Sequence, residues 1–418
     1  MREKEPWIWA LGIEDTFIGQ TNRQERTLDE YELTQHYRFW KEDLDAARAT
    51  GATMIRYGIP WYKVEPEPGV FDWSWVDPVM KDFTLHPEMT PIIDLMHYGT
   101  PLWLKNEFMN GQYPQRVASY ASAFAERYGE LVRYFTPLNE PYINAEWSGW
   151  TGTWPPYMKG HLGFVQLMKQ LSKGIILTME AVRKQRSDAL FVHVEASKLF
   201  VTSDPSLTKE TALWNEIRYM MWELIQGLVG KGHPLYAWLI DQGMTEEDFS
   251  WYRERAVELD IVGINYYPQF SVNEITRETL DRELVPSVIP GTGEHLIQIA
   301  EDIYRRYKKP VFITETSYKG TIEQRIDWME ELFVSCRKIA DRGVDLIGVT
   351  WFPFLDMVDW PYRNNDQTLE ENIVTFGLVT LEQQADGTLK RVKNAACDRF
   401  EEEIRRSRIG ASTEEEGA

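Results

Sequence analysis

Residues 134–141 read YFTPLNEP, a short apolar run that ends in a polar pair and a proline. Proline has no amide hydrogen for a sheet ladder and restricts the preceding residue to extended backbone. It can therefore close a strand but rarely lies inside a central one. The stretch predicts a buried strand with Glu140 held extended at its carboxyl end. A carboxylate there costs desolvation free energy unless it is paired or used.

Apolar runs of the same kind recur along the chain. Most are nearly continuous, as expected of parallel strands that are buried on both faces. The eight predicted strands cover residues 7–13, 52–58, 90–97, 134–139, 190–196, 260–266, 310–315 and 345–351. Helical patterns lie between them, for example over 36–50 and 321–342, where apolar residues recur at steps of three and four.

Eight strand–helix alternations without a flexible linker favour the α/β class and a closed (β/α)8 TIM barrel. We predict one barrel domain over residues 1–406, an irregular loop over 269–294 and a polar, disordered tail over 407–418. The rival is a doubly wound open sheet, which usually has fewer strands and often a glycine-rich phosphate loop. The sequence contains neither G-x-G-x-x-G nor G-x-x-x-x-G-K-[ST].

Five prolines follow the carboxyl ends of predicted strands, at Pro60, Pro101, Pro141, Pro268 and Pro353. These stops mark one end of the barrel, and barrel enzymes hold their active sites at the carboxyl ends of the strands. The chain repeatedly places polar or aromatic residues at this end. They are Arg56, His97, Asn139, Glu140, Tyr266, Tyr267, Glu315 and Trp351.

Composition narrows the classes of partner. The 418 residues include 45 Lys and Arg against 65 Asp and Glu, giving a net charge of −20. Nucleic acids and anionic membranes would meet a like charge, so neither is expected as a partner. The 17 Trp, 20 Tyr and 18 Phe mildly favour a carbohydrate site, because aromatic faces stack on the C–H faces of sugars.

The remaining compositional features are plain. Cys336 and Cys397 are expected to be small buried hydrophobic residues. The N-terminus shows no signal-peptide core and no stretch is apolar for 18 residues, so a cytoplasmic location is expected. No histidine or cysteine cluster has the spacing of a metal motif, and neither a metal nor a cofactor is expected.

Glu140 and Glu315 form the pair with the clearest chemistry. Each alone could be a salt bridge at the barrel rim. Strands four and seven, however, lie on opposing sides of an eight-stranded ring, so the two carboxyl groups can face one another. Two facing carboxyls push their pKa values apart, which provides one acid and one anion at neutral pH. Such a pair cleaves glycosidic bonds.

Several segments then resemble glycoside hydrolase family 1, within the wider clan A. TPLNEP at 136–141 is similar to the family's acid/base motif, and ITET at 313–316 is similar to its nucleophile motif. The resemblance continues, in the family's order and over nearly the whole chain, in RYGIPW at 56–61, LMHYGTPLWL at 95–104, GINYY at 263–267, WFPFLDMVDW at 351–360 and FGLV at 376–379.

The resemblance implies a role for each matching residue. Glu140 would be the general acid/base, and Glu315 the nucleophile of a retaining β-glycosidase. Arg56 and Tyr267 would contact Glu315 and keep it anionic and oriented. The remaining implied sugar contacts are Asn139, His97, Tyr267, Trp351, Asp359 and Trp360.

Some positions depart from the family's pattern. Its N-terminal segment carries a sugar-binding glutamine, whereas this chain reads GIEDTFIGQT at 12–21, with Glu14, Gln20 and Asn22 as possible substitutes. Asp359 stands where the family has glutamate, and Thr316 where it usually has asparagine. The machinery for bond cleavage therefore looks intact, while recognition of the far edge of the sugar looks altered.

The leading hypothesis is an exo-acting β-glycosidase, β-glucosidase-like but of open sugar specificity. A second is another clan A retaining glycosidase with endo activity on a β-glucan. Trp147, Trp150 and Trp154 could line a cleft as readily as wall off a pocket. A third is a catalytically silent carbohydrate-binding barrel. The expected partner is a small carbohydrate or glycoside, and a homo-oligomer is allowed.

Overall fold

The computed structural model describes residues 7–20 and 25–415. Its centre is a closed barrel of eight parallel strands in chain order, in which the last strand pairs with the first. The predicted (β/α)8 barrel is therefore confirmed. The strands are β1 Ile8–Gly12, β2 Met54–Gly58, β3 Thr90–Asp94, β4 Tyr134–Thr136, β5 Leu190–Ala196, β6 Ile261–Asn265, β7 Val311–Thr316 and β8 Leu346–Trp351.

Helices surround the barrel, and the two predicted from periodicity are confirmed as His36–Ala49 and Ile322–Asp341. The other helices of eight residues or more are Val76–Leu85, Tyr113–Tyr128, Gly160–Gln185, Thr208–Ile217, Glu246–Glu254, Gly293–Tyr307 and Ala395–Glu415. Shorter helical segments are Glu30–Leu33, Trp61–Val64, Glu107–Met109, Pro141–Ala145, Glu146–Trp150, Pro205–Leu207, Met220–Ile225, Tyr236–Asp241, Arg277–Asp281, Trp360–Asn364 and Leu369–Asn372.

The barrel interior changes character along its axis. Its amino-terminal half is filled by apolar side chains, among them Ala10, Met54, Ile92, Val192 and Phe312. Since side chains alternate along a strand, Arg56 lies on the same inward face as Met54, one step nearer the carboxyl end. The interior is therefore apolar toward the amino ends of the strands and holds a buried polar site toward their carboxyl ends.

Two predicted strands are shorter in the structure. β3 ends at Asp94 rather than 97, and β4 ends at Thr136 rather than 139. Beyond these ends the two segments leave the regular ladder. They are still joined by a hydrogen bond, which Asn139 N donates to Met96 O at 2.9 Å. The residues that follow are thereby freed from strand geometry.

The segment 269–294 is not the irregular loop that the sequence predicted. Val272–Glu274 pairs with Leu199–Val201 and with Ser287–Ile289 in a small three-stranded sheet, and Arg277–Asp281 is helical. The strands are short, so alternation gives little signal. Further two-stranded pairs join Phe17–Ile18 to Leu28–Asp29, Met357–Val358 to Ile373–Val374 and Val379–Gln383 to Leu389–Lys393.

The disordered tail over 407–418 stays a prediction, and the structure describes residues 407–415 as the end of a helix. The last helix continues to Glu415. Ser407 accepts a hydrogen bond from the Trp9 indole at 2.9 Å, and Arg408 donates to Gly51 O at 2.7 Å. These contacts hold the beginning of a segment whose polar composition alone favoured disorder. Residues 416–418 lie outside the described residues.

Both cysteines are buried free thiols, as predicted. Among the helices of residues 7–20 and 25–415, none is long and apolar enough to cross a membrane.

A buried aspartate ties the end of the barrel to the C-terminal segment. Asp356 Oδ1 accepts from Phe376 N and Gly377 N, each at 2.9 Å, and lies 3.5 Å from Arg325 Nη1. Removing it leaves the buried Arg325 guanidinium without its counter-charge and two backbone donors without their acceptor.

We expect Asp356→Ala to lower the free energy of unfolding by about 3–5 kcal/mol, measured by urea denaturation. The control is Asp386→Ala. Asp386 is an exposed turn residue that accepts from Thr388 N, and its loss should change the free energy of unfolding by no more than about 0.5 kcal/mol. Equal effects of the two substitutions would contradict this interpretation.

Candidate active site

Glu315 is turned into the barrel by a bulge in β7. Against β6, Ile313 pairs with Ile264 and Glu315 with Asn265, so two steps on β7 match one step on β6. Such an extra residue re-aims the side chains that follow it. Glu315 is 3% exposed, contacts Arg56 Nη2 through Oε1 and accepts from the Tyr267 hydroxyl at 2.8 Å through Oε2. The predicted contacts of Arg56 and Tyr267 with Glu315 are thus present.

Glu140 is not extended, contrary to the expectation from Pro141. Its φ of 38° and ψ of 66° lie in the left-handed region, which is costly for a residue with a side chain. Glu195 explains why the turn is held. Its carboxylate accepts from Tyr142 N at 3.0 Å and from Ala196 N at 2.9 Å, which fixes the helix that begins at Pro141.

The turn directs the Glu140 carboxyl group into the site. Oε2 accepts from the Tyr98 hydroxyl at 2.5 Å, and Oε1 accepts from Asn265 Nδ2 at 2.9 Å. Asn265 also pairs in register with Glu315, so it lies between the two carboxyl groups. The structure therefore brings the predicted pair to one buried place.

Burial dominates the electrostatics of both carboxyl groups. It raises the pKa of Glu140, and the hydrogen bonds from Tyr98 and Asn265 oppose that rise. Burial also raises the pKa of Glu315; Arg56 opposes it and the charge of Glu140 adds to it. Arg56 thus lowers the pKa of Glu315, as expected beside a cation, but desolvation is the larger influence.

With both pKa values raised, the pair favours sharing one proton over carrying two negative charges. Arg56 decides where that proton resides, because a guanidinium in direct contact favours the charge on Glu315. Glu140 has only neutral hydrogen-bond donors against its two oxygens. The arrangement therefore places an acid at Glu140 and an anion at Glu315.

Arg56 also organises the opposite side of the site. Its Nη1 donates to Asn139 Oδ1 at 2.7 Å and to Asp94 Oδ2 at 3.2 Å. Because Oδ1 of Asn139 faces Arg56, its Nδ2 faces His97 Nε2, at 2.9 Å. Asn139 and His97 are therefore neighbours in the site, and their contacts with a sugar stay a prediction.

His97 is buried among acids. Burial opposes a charge on its ring, but Asp15 and Glu14 outweigh it and raise the pKa of His97 above the ordinary value. Asn139 Nδ2 acts the other way, because an amide NH2 can only donate and so favours an unprotonated Nε2. In both the neutral and the charged form of His97, Nδ1 carries a proton, since Asp15 Oδ1 lies 2.9 Å from it and can accept.

Of the two possible substitutes for the family's glutamine that the structure describes, Glu14 points into the site. Its Oε1 lies 3.4 Å from His97 Nε2 and accepts from Thr16 N at 2.9 Å. Gln20 points elsewhere, donating to Leu104 O at 2.9 Å. Asn22 lies outside the described residues.

Asp15 is a neighbour that the sequence did not single out. Gly58, the last residue of β2, leaves room for it, because a Cβ there would lie 1.7 Å from Asp15 Oδ2. Burial raises the pKa of Asp15 to about 6. Asp15, Asp94 and His97 offer ligand atoms within 4.8 Å of one another, a spacing that metal sites share. Here the shared His97 proton and Arg56 offset these carboxylates, so we interpret the cluster as an ion-pair network.

Aromatic side chains cover the site. Trp351 is fully buried at the end of β8, beside Thr316 of β7 in the ladder. Trp360 packs against Trp147 and Trp154, with ring centroids 5.3 and 5.0 Å apart. Trp150 is not part of this wall, because it stacks on Trp214 at 5.0 Å in the core.

Two of the departures from the family's pattern have clear partners. Asp359 forms an ion pair with Lys319 Nζ at 2.6 Å, in a partly exposed position. Thr316 accepts from the Trp328 indole at 2.9 Å, which gives its hydroxyl a structural contact. Neither contact belongs to the buried network around Glu140 and Glu315.

Besides Asp15 and Asp94, sequence reasoning missed Tyr98, Glu195 and Asn265 in the site, and Lys319 beside Asp359. Two of them had a readable signal. Tyr98 lies inside LMHYGTPLWL and Asn265 inside GINYY, each next to a residue that was singled out. Glu195 and Lys319 had none, since their partners are distant in sequence.

Comparisons with known proteins identify the family. The family model described as glycosyl hydrolase family 1 matches residues 10–407. Beta-glucosidase A of Thermotoga maritima is 24% identical over 366 residues, 78% of each chain. Aryl-phospho-beta-D-glucosidase BglC of Bacillus subtilis is also 24% identical, covering 96% of this chain and 92% of its own.

A solved family 1 β-glucosidase of Thermotoga maritima, in complex with isofagomine lactam, shares the fold. Its TM-score is 0.80 at 18% identity, with 97% of this chain and 99% of that chain covered. The family model extends over nearly the whole chain and includes both carboxylates. The chain therefore belongs to glycosyl hydrolase family 1.

Proposed function

We propose that this retaining β-glycosidase removes a terminal β-linked sugar by double displacement, with Glu140 as acid/base and Glu315 as nucleophile. In the first step the Glu315 carboxylate attacks the anomeric carbon while the glycosidic C–O bond breaks. Glu140 gives its proton to the departing oxygen. The products of this step are the free aglycone and a glycosyl ester on Glu315.

In the second step water attacks the same carbon and the ester bond to Glu315 breaks. Glu140, now a carboxylate, takes the proton from that water. Esterification removes the negative charge of Glu315, a charge that had favoured keeping the proton on Glu140. The same side chain can therefore serve first as acid and then as base.

The observation that carries the proposal is the unequal surroundings of the two buried carboxyl groups. Glu315 is bound by a cation and a phenol, through Arg56 and Tyr267. Glu140 is bound by neutral donors, through Tyr98 and Asn265. Two acids in one dry site with different partners divide the acid and nucleophile roles. A silent carbohydrate-binding barrel has no need for this arrangement.

The aromatic wall supports exo action. Trp360, Trp147 and Trp154 pack on one another and on Tyr98, whose ring lies 5.6 Å from Trp360 and 5.1 Å from Trp154. Indole rings in mutual contact close one side of the site instead of lining an open groove. We infer a pocket that admits one sugar end, and take endo action on a β-glucan as the alternative.

The acidic side of the site supports a sugar without a phosphate group. Glu14 and Asp15 carry carboxyl oxygens 3.4 and 2.9 Å from the ring nitrogens of His97. A phosphate dianion would meet like charge there. One curated relative is an aryl-phospho-β-glucosidase. For this chain we infer preference for the unphosphorylated glycoside.

A cytoplasmic location and the oligomeric state stay predictions. The two buried free thiols are compatible with a reducing compartment.

Chemical rescue tests the assignment of the two carboxylates. Glu315→Gly should abolish turnover of an aryl β-glycoside, and azide should restore it with inverted product, because azide attacks from the vacated side. Glu140→Ala should lower turnover of poorly activated glycosides by about 10²–10⁴-fold and be rescued by azide with retained configuration. Product configuration is read by proton NMR.

The matched control is Glu107→Gln, which alters another buried glutamate whose pKa burial raises, to about 8. That variant should stay active and show no response to azide. Activity close to wild type in both Glu315→Gly and Glu140→Ala would overturn the assignment.

Substrate charge tests the acidic pocket. We expect nitrophenyl β-glycosides of neutral sugars to be hydrolysed at least about 100-fold more efficiently than a 6-phosphorylated analogue, measured as kcat/KM, because like charges destabilise the bound phosphate. Glu14→Gln removes one negative charge and keeps the shape of the side chain, so it should lower the ratio of the two kcat/KM values. A faster reaction with the phosphorylated analogue would contradict the proposed preference.

A further inference from the structure

Tyr98 makes the shortest hydrogen bond to the proposed acid/base, and its role follows from where the proton of Glu140 can reside. We propose that Tyr98 is a positioning residue that holds this proton on Oε2, from which it leaves in the first step and to which a proton returns in the second. The inference rests on the proposed function of Glu140. It assigns the reactive oxygen of that carboxyl group and the partner that controls it.

The first step of the argument concerns Oε1. Asn265 Oδ1 accepts from the Thr314 hydroxyl at 2.7 Å, and this contact orients the amide. Nδ2 of Asn265 therefore faces Glu140 and donates to Oε1 at 2.9 Å. An amide NH2 has no acceptor capacity, so a proton on Oε1 would point at another donor. When Glu140 is neutral, its proton belongs on Oε2.

The second step concerns the partner of Oε2. The Tyr98 hydroxyl lies 2.5 Å from it, and a phenol can donate or accept. It donates to the carboxylate and accepts from the protonated carboxyl group. Burial raises the pKa of Tyr98 well above its ordinary range, so the phenol keeps its own proton in both states. When Glu140 loses or gains its proton, the Tyr98 hydroxyl needs only to rotate to change from acceptor to donor or back.

The third step concerns how firmly Tyr98 is held. It has a φ of 72°, so both residues of the hydrogen bond, Tyr98 and Glu140, have left-handed backbone. Side chains rarely occupy this region unless their surroundings impose it. Gly99 permits the turn, because a Cβ there would lie 1.9 Å from Phe17 O. The Tyr98 ring is 1% exposed and packs between Trp154 and Trp360.

These contacts have one measurable consequence. A hydrogen bond to the charged form stabilises it, so Tyr98 lowers the pKa of Glu140 against the effect of burial. Removing the hydroxyl should raise that pKa. In the kcat/KM profile, the alkaline limb reports loss of the proton of the general acid. That limb should therefore move to higher pH.

The test compares Tyr98→Phe with Tyr142→Phe. Each removes one buried phenolic hydroxyl close to Glu140 in sequence or space. The Tyr142 hydroxyl has no hydrogen-bond partner among the described residues. We expect Tyr98→Phe to shift the alkaline limb upward by about one pH unit, while Tyr142→Phe leaves it in place.

The leaving group provides a second readout. With Tyr98→Phe, kcat/KM for alkyl β-glycosides should fall by about tenfold, because their departing oxygen needs the proton of Glu140. The value for dinitrophenyl β-glycosides, whose leaving group needs no protonation, should stay near wild type. Thr314→Val, which releases the Asn265 amide, should shift the alkaline limb in the same upward direction.

A titration without substrate separates this inference from the proposed function. In Glu315→Gln protein labelled at glutamate Cδ, the Glu140 resonance is the one lost on Glu140→Gln. Its 13C NMR midpoint should lie about one pH unit higher with Tyr98→Phe than without it. Equal midpoints would overturn the role of Tyr98 even if Glu315→Gly is rescued by azide. A wild type inactive on every nitrophenyl β-glycoside would instead overturn the proposed function, and the titration would still decide the role of Tyr98.

Discussion

The guanidinium of Arg56 binds the carboxylate of Glu315 across the barrel interior, and the rest of the site is arranged around this contact. Arg56 comes from β2 and Glu315 from β7, strands that are not neighbours. The same guanidinium binds Asn139, which precedes Glu140, and Asp94, which faces His97. It lies over the Phe352 ring, 4.4 Å from the centroid, which shields it from water.

This arrangement allows two acidic side chains to be buried in one site. Burial raises the pKa of both Glu140 and Glu315, so the site favours a shared proton. The position of Arg56 breaks the symmetry and leaves the charge on the side where a nucleophile is needed. The bulge in β7 and the left-handed turn at Glu140 are the backbone features that bring each carboxyl group to its partners.

The sequence was sufficient for the architecture and for the principal pair. Eight apolar runs and five prolines after strand ends indicated the barrel and its working end, because both signals are local. The contacts of Arg56 and Tyr267 with Glu315 followed from the family resemblance. The sequence could not decide whether Glu14 or Gln20 takes the place of the family's glutamine, since only the fold shows which of them faces His97.

Other features depended on distant contacts and could not be predicted. The proline after Glu140 favoured extended backbone, but Glu195 on β5 holds the following helix and with it the left-handed turn. The last helix, Ala395–Glu415, contacts Trp9 through Ser407, a residue nearly the whole chain away from it. Tyr98 faces Glu140 only because two separate turns bring them together.

The central claim is that Glu315 forms a covalent bond with the sugar. In a 2-deoxy-2-fluoro β-glycoside the fluorine slows both steps, and a good leaving group keeps the first step faster than the second. The glycosyl-enzyme should therefore accumulate. Intact mass spectrometry should show one added glycosyl unit, and peptide mapping should place it on Glu315. Mapping to another residue, or hydrolysis with inversion and no adduct, would contradict the account.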